Sequence, residues 1–254
     1  MRHRLRRVIH LLVATYNVGS RSDAHVLDDL RRLADLGVRV FLLQEVADRH
    51  HMLARFAEAA GFQLHQGDSN DQGHVAVLVH DDYPIKSAGY WRCTDRTEVG
   101  DWGAGPRVLA AKWIAWVEIE VAGRVLWFGS THFPPSVQRK KATPGRARRR
   151  ALFARQVVAV RAWWTTRRGG KVLGTDDNAT TAFPLLRALR VIGRAGRRGA
   201  RVVLRTAASH GHRPIDKIRV AWRRWLKVSP AQALDGYSSD HRPVVVDLEI
   251  KETR

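Results

Sequence analysis

The chain has 254 residues and 44% hydrophobic content, enough for one large core, and it contains no run near the roughly 20 apolar residues that a membrane-spanning helix needs. A lone cysteine, Cys93, excludes an internal disulfide, and no Cys/His cluster has zinc spacing, which fits a reducing, cytoplasmic setting and argues against a thiolate-held metal. The formal charge of +20 lies in one region: residues 139–227 hold 25 basic and 3 acidic groups, whereas 1–138 hold 16 of each and the last 27 residues hold 3 and 5. A bias spread evenly by base composition would not concentrate in this way. A local positive field attracts polyphosphates, nucleic acid or anionic surfaces.

In chain order, "MRHRLRRVIHLLVATYN" starts basic and turns apolar, but His10 interrupts it and no small-residue cleavage site follows. It reads as a first strand, "HLLVATYN", and not as a secretory leader. "SDAHVLDDLRRLADLG" then predicts an amphipathic helix, with Ser22 or Asp23 as N-cap, Val26, Leu30 and Leu33 on its apolar face, and Gly37 as terminator. "VRVFLLQEV" has the pattern of a buried strand, and "DRHHMLARFAEAAG" that of a helix ending at Gly61. "HVAVLVH", "VLAAKWIAWVEIEV" and "RVLWFGSTHF" are rich in β-branched and aromatic residues and predict successive antiparallel strands, with Gly123 at a hairpin turn.

Thr143 as N-cap and Pro144 at the first helical position open a long helix that buries Leu152, Phe153, Val157, Val160, Trp163 and Trp164 and carries arginines opposite. "KVLGTDDN" predicts a short strand, "FPLLRALRVIG" a helix, and "ARVVLRT", "IDKIRVAW" and "RPVVVDLEI" further strands. In the last of these, Val244, Val246, Leu248 and Ile250 repeat at period two. No repeat or low-complexity linker marks a boundary, so residues 1–254 read as a single domain, with a monomer as the default.

Several strand-to-loop transitions end in polar groups: Asn17, Gln44-Glu45, Thr131-His132, Asp176-Asp177-Asn178, Asp216 and Ser239-Asp240-His241. Each alone has an ordinary explanation as a turn residue, a cap or a solvated strand end. In this order they resemble the endonuclease/exonuclease/phosphatase superfamily, which includes pancreatic-type deoxyribonuclease, abasic-site endonucleases, neutral sphingomyelinases and inositol polyphosphate phosphatases. "ATYNVGS", "FLLQEV", "GSTHFPP", "GTDDNAT", "PIDKIRV" and "SSDHRPVVVDL" carry the resemblance across almost the whole chain.

The resemblance implies an α/β (α+β) fold, a four-layer sandwich of two mixed sheets face to face with helices outside. It also implies a divalent-metal-dependent phosphodiesterase, with Mg²⁺ or alternatively Mn²⁺ held by Glu45, with Asn17 beside it and Asp240 at a second position. Asp176 would position or deprotonate a water, and Asn178 would orient the phosphate. His241, held by Asp216, would stabilise phosphoryl charge or act as base, and His132 would assist the leaving oxygen. Such chemistry needs hard oxygen ligands and imidazoles at a scissile P–O bond. Two departures stand out. Thr175 separates Gly174 from Asp176, which leaves Asp177 as an alternative to Asp176, although the spacing to Asn178 favours Asp176. Gly19 occupies the place of an aspartate found in some family nucleases, which argues against a two-metal arrangement. Arg107 matches either an arginine near substrate or a solvated loop residue.

The basic segments 139–150 and 187–224 flank these motifs, so positive loops are expected around the site and nucleic acid, DNA first, as substrate. The expected activity is an endonuclease with little sequence preference and no membrane partner. Trp91, Trp102 or Trp163-Trp164 are candidates to stack on bases, the last pair also fitting the core. The alternatives are a phosphatase or phospholipase acting on inositol phosphates or sphingomyelin-like esters, and a DNA-binding protein with a decayed site.

Overall fold

The computed structural model describes residues 7–19, 21–67, 72–101, 106–135, 145–179, 202–210, 213–221 and 223–253. The chain runs β1 (Val8–Asn17), α1 (Asp23–Asp35), β2 (Val38–Gln44), α2 (His50–Ala60), β3 (Phe62–Gln66) and β4 (Val75–His80). It continues through β5 (Ile85–Thr94), the ribbon β6 (Thr97–Asp101) and β7 (Pro106–Leu109), β8 (Lys112–Val121), β9 (Arg124–His132) and α3 (Arg146–Thr166). The remaining elements are β10 (Gly170–Asp176), β11 (Val202–Thr206), β12 (Asp216–Ala221), β13 (Leu226–Val228), β14 (Gln232–Ala233) and β15 (Val244–Lys251).

Two mixed sheets result. One has the order β13-β15-β1-β2-β4-β3, with β14 also paired to β15, and the other the order β11-β12-β10-β9-β8-β5. Each contains one parallel pair among antiparallel ones, β1 with β2 and β9 with β10. Parallel neighbours need a crossover, which α1 and α3 supply. Alternation decides the layers. Val13, Leu42, Val117, Phe128, Val172 and Val246 meet between the sheets, while Phe41 and Leu43 face Leu30, Leu33, Leu53 and Phe56 of α1 and α2. On the far side, Leu173 and Ile114 take Phe153, Val160 and Trp163 of α3. This is the expected four-layer sandwich, and Trp163 and Trp164 belong to its core.

The expected boundaries mostly coincide with these elements. Ser22 is the N-cap of α1, although its hydroxyl bonds His25 and not the helix backbone. Gly61 closes α2 in the left-handed conformation. The long helix starts later than expected, at Arg146 with Gly145 as N-cap; Thr143 and Pro144 lie outside the described residues, as do the helix expected at "FPLLRALRVIG", Trp102 and the side chain of Arg107. The strands expected in succession divide between sheets: β4 pairs with β2 and β3, whereas β8 and β9 form a hairpin through Ala122 and Gly123, both at positive φ.

Part of the positive charge lies inside. Arg149, Lys171, Lys217 and Arg219 are buried. Lys217 and Arg219 project from the outer face of β12 onto Asp177: Lys217 Nζ is 2.8 Å from Oδ2, and Arg219 reaches both carboxylate oxygens, at 3.2 and 2.5 Å. Lys217 Nζ also donates to the carbonyls of Ala179 and Ile215, and Arg219 to Thr175 Oγ1. Burial alone would raise the Asp177 carboxyl, but Arg219 and Lys217 outweigh it and hold the group below the usual carboxylate range.

A carboxyl depressed on folding contributes stability that is present above its unfolded pKa, about 3.9, and is lost as pH falls through the folded value. Asp177→Ala leaves two buried cations uncompensated, and urea unfolding at neutral pH should register a loss of about 3–5 kcal/mol. The gap between wild type and variant should narrow as pH falls below about 4.

Candidate functional site

Strand register assembles the polar groups. In the parallel pair β9–β10, Asp176 lies beside His132, and in the antiparallel pair β10–β12 it lies beside Asp216. In the other sheet Asn17 pairs with Gln44, and Glu45 follows. The sheets touch below these ends at Gly174, where a Cβ would stand 2.6 Å from Leu42 Cβ and 2.7 Å from Thr15 Oγ1, so only glycine permits the approach. Gln44, wholly buried, ties the layers by donating to Ser130 Oγ at 2.8 Å, and Ser130 Oγ in turn donates to the Leu43 carbonyl.

At the rim, Asn17 Nδ2 donates to Glu45 Oε1 and to Asp176 Oδ2, both at 2.9 Å, while its Oδ1 accepts from Gly19 N–H. Asn17 therefore holds the two carboxylates together across the sheets; its amide nitrogen, and not its oxygen, faces them. His132 Nε2 lies 3.4 Å from Asp176 Oδ2 and 3.7 Å from Glu45 Oε1. Asn178 Nδ2 donates to the Phe133 carbonyl and lies 2.8 Å from the same His132 nitrogen, which makes that nitrogen an acceptor when the ring is neutral. One ligand atom each from Glu45, His132 and Asp176 lies within 4.8 Å of the others. Lone-pair atoms facing one another are stabilised by a proton on His132 or by a divalent cation, and carboxylate-rich sets suit hard ions.

Two of these residues occupy costly backbone conformations. Glu45 has φ 58° and Asn178 φ 50°. Asparagine tolerates the left-handed region; glutamate seldom enters it, and such outliers concentrate at functional sites. Asn178 is held there by its own N–H donating to Asp176 Oδ1 at 2.7 Å.

On the other flank, His241 Nδ1 bonds Asp216 Oδ2 at 2.7 Å, deep under Ser239 and Ser209. Burial lowers His241, but the bond to Asp216 and its field, with Asp176 and Asp240 adding, push it up to about 9. Asp216 is itself raised, by burial and then by Asp176. Burial opposes ionisation of Asp176 too, yet His132, His241 and the Asn178 N–H hold it well below the usual carboxylate range. Asp176, Asp216 and His241 form a second close set. The expected residues Asn17, Glu45, His132, Asp176, Asn178, Asp216 and His241 thus converge. Asp177 points to the other face of its sheet, into the Lys217–Arg219 cluster. Asp240 falls in a close set with His210 and His241, and not in the set that contains Glu45. Trp91 packs under Arg167 with Trp116 and Trp127, against α3.

Sequence reading missed what anchors the Ser-Asp-His turn. Asp29 of α1, buried, accepts from Tyr16 Oη at 2.6 Å and from Ser238 N–H and Oγ at 3.0 and 2.5 Å. Ser239 N–H donates back to Tyr16 Oη, and Ser239 Oγ to the Asn17 carbonyl. An aspartate on the inner face of a helix, four positions from apolar Leu33, is the signal available in the sequence.

No family model matches the chain, and no curated protein matches it. Solved structures do. An endonuclease/exonuclease/phosphatase family protein from Bacteroides thetaiotaomicron aligns with TM-score 0.69 and 16% identity over 97% of each chain. A mannosyl-6-phosphatase from the same organism aligns with TM-score 0.66 and 17% identity over 94% of this chain and 99% of that one. The human Nocturnin catalytic domain, solved with a bound sulfate anion, gives TM-score 0.65 and 14% identity over 96% and 97%. The chain has the fold of the endonuclease/exonuclease/phosphatase superfamily.

Asp29→Ala strips the acceptor from Tyr16 and Ser238 and should cost at least about 2 kcal/mol in urea unfolding, because buried donors are left unpaired.

Proposed function

We propose that the protein is a divalent-metal-dependent phosphoesterase and, more narrowly, an endonuclease that hydrolyses nucleic-acid phosphodiesters with little sequence preference. One observation carries the reading: Glu45, His132, Asp176 and, through Asp176, the Asp216–His241 pair gather at the strand ends of both sheets. Glu45 and Asp176, joined by Asn17, would hold the ion, and Mg²⁺ suits the oxygen-rich set. When bound, the ion supplies positive charge for the phosphoryl oxygens.

The chain's own groups do the rest. Asp176, an anion near neutral pH, accepts a hydrogen bond from the attacking water and aligns it. His241 keeps its second proton near neutral pH because Asp216 faces it, so it acts as a cation against the phosphoryl charge in preference to a base. His132, oriented by Asn178, serves the leaving oxygen. Asn178, pinned by Phe133 and Asp176, orients the phosphate.

Charge supports nucleic acid as substrate. Arg148, Arg150, Arg155 and Arg161 of α3 are exposed, as is Arg213 beside His210. Such residues bind phosphate backbones without reading bases. A second reading, a phosphatase acting on sugar phosphates or inositol phosphates, draws on the mannosyl-6-phosphatase among the structural neighbours and on the burial of part of the basic charge. No helix among the described residues is long and apolar enough to cross a membrane.

Purified protein should nick supercoiled plasmid with Mg²⁺ and not with EDTA. Glu45→Gln and His241→Ala should each slow nicking by about 10²–10³-fold with the fold intact, and the rate should fall steeply with added salt. Absence of nicking together with phosphate release from small monoesters would transfer the assignment to the second reading.

A further inference from the structure

A second group of ligating atoms stands on the solvent side of His241: the Ser-Asp-His motif supplies two of its members, and the third, His210, lies in none of the motifs. His210 follows β11. Its backbone is paired with Arg213, through His210 N–H to the Arg213 carbonyl at 3.2 Å and the reverse bond at 2.9 Å. The preceding residue, Ser209, accepts from Arg242 N–H at 2.6 Å, which fastens this stretch to the Ser-Asp-His turn. The His210 ring lies over His241, with centroids 4.7 Å apart.

The hydrogen bonds orient both imidazoles. His210 Nδ1 sits 3.2 Å from the Asp240 carbonyl oxygen, which can only accept, so Nδ1 carries the proton and Nε2 is bare in the neutral ring. His241 Nδ1 is engaged by Asp216, leaving Nε2 as the nitrogen that an ion would take in place of its proton. This is the arrangement in which metal-binding histidines are usually found, one nitrogen bonded to a carboxylate or a carbonyl and the other presented to an ion. Between them Asp240 offers a carboxylate, its Oδ2 3.6 Å from His210 Nδ1, with a side chain 59% exposed. One ligand atom from each of His210, Asp240 and His241 lies within 4.8 Å of the others.

We propose that His210, Asp240 and His241 bind a transition-metal cation, with Zn²⁺ as the best chemical fit, at a site that adjoins the oxygen-rich centre at Glu45 and shares His241 with its flank. Two imidazoles and one carboxylate match zinc, cobalt or nickel, whereas magnesium prefers oxygen donors and retains water. Zinc takes such atoms at about 2.0–2.2 Å, which puts them roughly 3.3 Å apart in a tetrahedron. Closing the set requires side-chain rotation from the observed positions, with His210 turning Nε2 toward Asp240, whose carboxylate now lies nearest Nδ1. The exposure of His210 and Asp240 leaves a fourth position to solvent. Under the proposed function, zinc here takes His241 away from the phosphate and inhibits the reaction; the existence of the site does not depend on that function.

The test is Zn²⁺ binding to the full chain by equilibrium dialysis in excess Mg²⁺, with Co²⁺ absorption as a spectroscopic check of nitrogen ligation. Wild type should bind one Zn²⁺, with His210→Ala and Asp240→Asn each weakening it at least 10-fold and Glu45→Gln leaving it unchanged. Near-UV circular dichroism of the variants should match wild type, since His210 and Asp240 are surface residues. Undiminished Zn²⁺ affinity in His210→Ala, or loss of binding in Glu45→Gln alone, would overturn the site. Zinc binding of the expected kind in a protein that hydrolyses no phosphoester would instead remove the functional reading and leave the metal site standing.

Discussion

The hydrogen bond from Asn17 to Asp176 is the contact on which the site depends, because it is made between sheets and not within one. Each sheet alone carries half of the chemistry: β1 and β2 deliver Asn17 and Glu45, while β9, β10 and β12 deliver His132, Asp176 and Asp216. The halves meet only because the sandwich is tight directly below, where Gly174 has no side chain and Gln44 reaches Ser130. Close packing of this kind transmits small displacements, so the separation of Glu45 from Asp176 is set by core volume as much as by the polar groups themselves.

The same sheet that presents Asp176 inward presents Asp177 outward, and the two carboxylates have opposite surroundings. Asp176 is balanced by groups at the rim, whereas Asp177 is neutralised by Lys217 and Arg219 under the outer layer. Neighbouring aspartates at the end of a strand therefore divide the work through period-two alternation alone. The alternation also places two of the cations, Lys217 and Arg219, against Asp177 under the outer layer.

Much of this was legible in the sequence. Apolar and β-branched runs indicate β1, β2 and β9, a period-two repeat indicates β15, and the order of six short motifs, by its resemblance to a known family, indicates the sandwich and seven residues that converge. What was not legible has physical reasons. "IKSAGYWRCT" lacks clean alternation, because β5 is an edge strand with charged and small residues, so it went unread. The start of α3 falls at a glycine cap, although Thr143-Pro144 is the stronger local signal. The choice between Asp176 and Asp177 needed the register against β12, which spacing does not contain. His210 and Asp29 act through contacts across about 30 and 209 positions of chain, respectively, and no local pattern encodes those.

The pairing of β1 with β15 joins Val8 to Lys251 and Thr15 to Val244. Long-range strand pairs form slowly, and a growing chain offers its N-terminal segments first. During synthesis β1 must wait for a partner that leaves the ribosome hundreds of residues later, and until then one of its edges stays open while β2 can pair with the other. The first sheet is therefore complete only once β15 has been made, and in the interval one edge of β1 is left without its strand partner.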